Sequence, residues 1–92
     1  MGEKLRLKLA EAYGEELLFM DGFDDCIMGV AERCGMEPVV VYSRRKVLEK
    51  LVADGMDEDE VSDYHYNNQA GAYMGERTPV FFDSLNEILE RF

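Results

Sequence analysis

The chain is poor in the residues that most often carry chemistry or covalent bracing. Among 92 residues there are two cysteines, two prolines, one histidine and no tryptophan. Cys26 and Cys34 form no CxxC pair and have no histidine-rich neighbourhood. That excludes a zinc-finger spacing and a disulfide framework, and two reduced, inert thiols are expected. Long apolar runs are missing too. Val39–Tyr42 is far short of the roughly 20 residues a membrane span requires, and the N-terminus lacks the apolar segment of a secretory signal, so the expected location is cytoplasmic. Basic residues are scarce: 10 Lys+Arg stand against 20 Asp+Glu, a formal net charge of −10. Such a balance argues against direct contact with nucleic acid or an anionic membrane, and it favours partners with basic surfaces.

What is present supports a folded domain. Hydrophobic residues at 47% and aromatics at 11% are too many for a disordered acidic tail, whose mark is high charge with little to bury. A chain of this size buries about 60–65% of its unfolded surface and cannot be divided into two cores, so residues 1–92 form one domain. The charge is polarised along it: residues 1–50 carry −2 and residues 51–92 carry −8. Six acids and no base fall between Asp54 and Asp63.

Periodicity and turn chemistry set out the elements. Leu5, Leu9 and Ala12 recur at helical spacing across Glu3–Tyr13, with Gly14 as the stop, although Leu5, Leu7 and Leu9 also alternate as in a strand. The apolar run Glu16–Met20 followed by Asp21-Gly22 reads as a strand entering a hairpin. A second strand follows from Cys26 to Ala31, with Gly29 marking either a bulge or a close backbone approach. After a turn at Arg33–Pro38, Val39–Tyr42 is the clearest strand in the chain. Ser43 is placed to cap a helix whose apolar positions are Val47, Leu48, Leu51 and Val52, ended by Gly55. Asp57 caps another, which starts near Glu58 and is expected to run through Val61, Tyr64, His65, Asn68 and Ala72 before Gly75. Val80–Phe82 is a short strand. Ser84 and Glu87 form a capping box before a final stripe of Leu85, Ile88, Leu89 and Phe92. The order α-β-β-β-α-α-β-α predicts an α+β domain, a small antiparallel sheet of three to four strands covered by helices. Two helices before the last strand also leave a parallel crossover open.

Met20-Asp-Gly-Phe-Asp-Asp, Ile27-Met-Gly-Val, Pro38-Val-Val-Val-Tyr, Asp54-Gly-Met and the segment from Gly71 to Val80 occur in that order. Together they resemble a family of small uncharacterised acidic proteins carried by bacteriophages and prophages. The resemblance spans residues 20–82 and carries no functional residues with it. It implies a setting, an infected or lysogenic bacterial cell, in which accessory proteins of this size bind host proteins and inhibit or redirect them, host defence included.

Two clusters are candidate sites. Asp57, Glu58, Asp59, Glu60 and Asp63 form an acidic run in which Asp57, Glu60 and Asp63 or Tyr64 lie along one helical stripe, with neighbours about 5–6 Å apart, and Asp59 and Asp63 repeat that spacing at i,i+4. Such a row could occupy a basic groove built for nucleic-acid phosphates, which points to a non-enzymatic inhibitor of a host protein. The ordinary account is an acidic first turn stabilising a helix start. Ser43, Arg44, Arg45 and Lys46 put three cations where a helix dipole opposes them. They suggest either an anion site at a helix N-terminus, for a phosphate or small ligand with Asp24 and Asp25 nearby, or pairing with Glu49 and the acids of the next helix. No register of residues 54–66 supplies the Gly and the twelfth-position Glu of an EF-hand loop together, turn chemistry accounts for Asp21, and no metal or cofactor is expected. His65 shares a face with Val61 and reads as a core residue rather than a base. Tyr64, Tyr66, Tyr73 and Met74 exceed what one short helix can cover, so a self-associating module such as a homodimer is a further alternative.

Overall fold

Val39–Tyr42, three β-branched residues and an aromatic, makes the central strand around which the other elements are arranged. The computed structural model describes residues 2–70 and 75–90. Its elements are α1 (Gly2–Tyr13), β1 (Ile27–Ala31), β2 (Val39–Ser43), α2 (Arg44–Ala53), α3 (Glu58–His65), a π-helical turn (Tyr66–Ala70), β3 (Val80–Phe82) and α4 (Leu85–Glu90). A 3-10 turn at Asp24–Cys26 precedes β1. The sheet runs β1-β2-β3, so the domain is α+β with three strands.

Two expectations need correction. The sheet is mixed rather than wholly antiparallel, because β1 pairs antiparallel with β2 while β3 pairs parallel to it. A parallel neighbour needs a long crossover, and α2 with α3 supplies it. The run Glu16–Met20 is not a strand, which removes one β from the predicted order. Leu17 is buried against the core, and the Met20 N–H donates to the Tyr42 hydroxyl at 2.6 Å, not to a ladder partner. The hairpin expected at Asp21-Gly22 is therefore absent, although a turn forms there: the Phe23 N–H donates to the Met20 carbonyl at 3.3 Å, with Gly22 at φ +86°, a conformation costly for residues with a Cβ.

Side-chain alternation along β2 divides the sheet into two faces. Val40 and Tyr42 are fully buried, together with Val47 and Leu51 of α2, Val61 of α3, Leu17 and Cys26. Burying groups of this size contributes roughly 1.5–3 kcal/mol each. The bulge falls between Ile27 and Gly29, leaving Met28 as the extra residue. Local caps define the helix starts: the Ser43 hydroxyl accepts from the Lys46 N–H, Asp57 from the Asp59 N–H and Ser84 from the Glu87 N–H. α3 stays α-helical only to His65 and widens into the π turn. Its expected continuation to Ala72 falls on residues outside those described. The stripe of α4 is present but open, with Leu85 and Leu89 well exposed, and Phe92 lies outside the described residues. No described helix is long and apolar enough to cross a membrane.

Candidate functional site

The acidic run begins where α3 begins. Asp57 takes the extended backbone of an N-cap, and its carboxylate accepts from the Asp59 N–H at 3.0 Å. Glu58, Asp59 and Glu60 then occupy the first turn, where a helix dipole favours negative charge. Val61 and His65 turn inward, which leaves Asp57, Glu58, Asp59, Glu60 and Asp63 all exposed.

Ion pairs engage several carboxylates elsewhere in the chain. Arg6 reaches Asp24 at 2.8 Å and Asp21 at 3.3 Å, and Lys50 reaches Asp25 at 3.1 Å, which draws the Asp25 carboxyl below its ordinary range. Arg77 holds Glu16 at 2.5 Å and Glu37 at 3.2 Å. Arg44 pairs with Asp83, and Arg45 approaches Glu49 at 3.8 Å. Among the described residues neither the N-cap Asp57 nor the four acids of α3 make an ion pair. Their field is therefore directed at solvent.

The basic helix start has a different arrangement from an open anion site. The Ser43 hydroxyl is occupied by the Lys46 N–H at 3.3 Å. Arg44 turns away from the helix axis toward the end of β3, where it meets Asp83, donates from Nε to His65 Nε2 at 3.2 Å and lies over the Tyr66 ring at 5.2 Å. Arg45 and Lys46 are exposed. The four residues do not converge on one point. Asp24 is held by Arg6 and Asp25 by Lys50; of the four residues only Lys46 shares a hollow with Asp25.

His65 is the centre of that buried cluster. It is fully buried, packed edge-on to Phe81 with ring centroids 4.6 Å apart. Because Nε2 accepts from Arg44, the ring proton resides on Nδ1, which donates to Gln69 Oε1 at 2.8 Å. Burial pushes the imidazole below its ordinary pKa, and the Arg44 charge acts in the same direction, against the raising effect of Gln69. A neutral ring with both nitrogens engaged ties α2, α3, the π turn and β3 together. It offers no free nitrogen to a substrate. Cys26 is equally sequestered: burial, followed by the adjacent Asp25, pushes its thiol up and away from the reactive thiolate. Among the described residues no group of three His, Cys, Asp or Glu side chains is placed to hold a metal ion.

Sequence reasoning missed Asp83 and Gln69. The signal for Asp83 was the unfavourable placement of Arg44 at a helix start, which demands an anion; its identity depended on β3 lying parallel to β2. Compared with known proteins, this chain matches no family model, no curated protein and no solved structure.

Proposed function

We propose that this domain is a non-enzymatic binding protein, an accessory protein of the phage kind its motifs resemble, which engages a basic surface on a host protein through the acidic start of α3. The observation that carries the reading is the density of unpaired charge: Asp57, Glu58, Asp59, Glu60 and Asp63 lie within one short stretch, are exposed and make no ion pair among the described residues, whereas other acids without an ion pair, such as Glu3, Glu32 and Glu90, are scattered along the chain. A row of unneutralised charge spaced by helix geometry suits a groove that normally accepts nucleic-acid phosphates, so the action is inhibition by occupancy, inside the host cell. The buried, doubly bonded His65 supports the absence of acid–base chemistry at this site.

The test is a pull-down from bacterial lysate with quantitative mass spectrometry at low and high salt, comparing wild type with a variant carrying Asp57→Asn, Glu58→Gln, Asp59→Asn, Glu60→Gln and Asp63→Asn. The expected result is a nucleic-acid-handling protein retained by wild type, weakened by salt and lost by the variant. Equal retention of the same partners by both proteins rejects the mechanism.

A further inference from the structure

The acidic helix leaves the second face of the sheet unused. Val39 and Val41 lie opposite the core positions Val40 and Tyr42, and the strand registers place Ala31 beside Val39, and both Gly29 and Val80 beside Val41. Phe82 lies two residues beyond Val80 and therefore on the same face. Sheet faces left to solvent are ordinarily polar. Here no strand contains a charged residue, and Val80 is 42% and Phe82 43% exposed. Scattered apolar side chains need no explanation, but a contiguous patch on one face does.

One end of this face is concave. Ala31, Met36, Val39 and Val80 line the floor of a groove of about 380 Å³ between the β1–β2 turn and the loop that enters β3. Glu32, Glu37 and Glu76 stand on its rim with Arg33, and since Glu37 is already held by Arg77, Glu32 and Glu76 are the acids left to a partner. This charge pattern selects the occupant. A second copy would set two such acidic rims, on two chains of net charge −10, against each other, and like charges oppose that approach. A segment with apolar side chains flanked by lysine or arginine satisfies floor and rim together.

We infer that the open sheet face is a docking site for a partner segment of that chemistry, with its apolar side chains on Met36, Val39 and Val80 and its bases toward Glu32 and Glu76. The site is distinct from the acidic helix. Val61 of α3 packs into the core with Val40 and Tyr42, which places α3 on the opposite side of the sheet, and the two surfaces can be tested apart.

Three labelled synthetic peptides of equal length, alternating valine with lysine, valine with glutamate and serine with lysine, serve as probes in fluorescence anisotropy with the full chain. Only the valine–lysine peptide is expected to bind. Val80→Asp, and separately Met36→Asp in the turn, should each weaken it about tenfold or more, with circular dichroism confirming that both variants remain folded. Neutralising Asp57, Glu58, Asp59 and Glu60 should leave this binding unchanged. Equal binding of the serine–lysine peptide, failure of all three peptides to bind, or wild-type affinity in both aspartate variants overturns the site. Loss of binding in the α3 variant alone also overturns it, while leaving the acidic-helix reading intact. A dimer in sedimentation that Val80→Asp dissolves gives the face to a second copy and overturns the basic partner.

Discussion

Within β2, neighbouring residues of the same type meet opposite fates. Val40 is fully buried under the helices, while Val41 lies on the face where its partner Val80 remains 42% exposed. Residue type does not distinguish them. Burial here is decided by where α2 and α3 land, and they land on one side only. The covered face therefore holds the fold together, and the open face has apolar surface left over for another molecule.

The sharpest way to break that comparison is to truncate matched residues on the two faces. Tyr42→Ala should cost about 3–5 kcal/mol in urea denaturation, because it empties the core and strands the Met20 N–H. Val41→Ala should cost about 1 kcal/mol, the loss of a partly buried valine. Comparable losses at both positions would mean that the second face is covered after all.

The next effect concerns β3, which contributes to both faces. Asp83→Ala leaves the partly buried Arg44 without its carboxylate and should cost about 2–3 kcal/mol, less than for a fully buried pair because both side chains keep some exposure. Urea denaturation of Asp83→Ala beside an Arg44→Leu/Asp83→Leu double variant separates the unpaired charge from lost packing. The double variant should recover most of the loss.

A smaller effect follows from His65. Its folded pKa lies below the ordinary value, so between the two values the unfolded chain binds more protons than the folded one. Stability should then be fully present above the unfolded pKa of about 6.5 and decline as pH falls below it. Denaturation midpoints between pH 7.5 and pH 5 should fall more steeply in wild type than in His65→Gln. Identical slopes would show that the imidazole does not titrate with unfolding.

The smallest effects lie on the surfaces assigned to partners. Asp57→Ala removes a cap and should cost about 1 kcal/mol. Glu58→Gln should cost a few tenths, roughly the lower end of a dipole interaction. Val80→Ser should change melting by no more than about 0.5 kcal/mol. Thermal unfolding of the three variants ranks them, and a large loss at Val80 would reassign the open face to the core.

Local signals in the sequence located the helix starts well. Ser43, Asp57 and Ser84 bond to N–H groups two or three residues away, so capping chemistry is readable from neighbours. The Val39–Tyr42 strand and the bulge beside Gly29 were legible for the same reason. Non-local partners were not. Leu17–Met20 has the composition of a strand, yet the Met20 N–H pairs with Tyr42 22 positions later. Arg44 finds Asp83 39 positions on, a pairing that exists only once β3 lies parallel to β2. The exposure of the acidic row was readable from Val61 and His65 defining the inward side of α3. The open apolar face was not, because apolar alternation shows which residues share a side and not whether a layer covers it.

His65 carries one more consequence. It is the only histidine of the chain, so its imidazole resonances appear in a magnetic-resonance spectrum without overlap from another ring of the same type. That ring touches Phe81, which sits between the outward-facing Val80 and Phe82, and it terminates the helix that begins with the acidic row. The molecule thus contains a single native histidine reporter, joined through Phe81 to the strand that carries Val80 and Phe82 and through α3 to the acidic helix start.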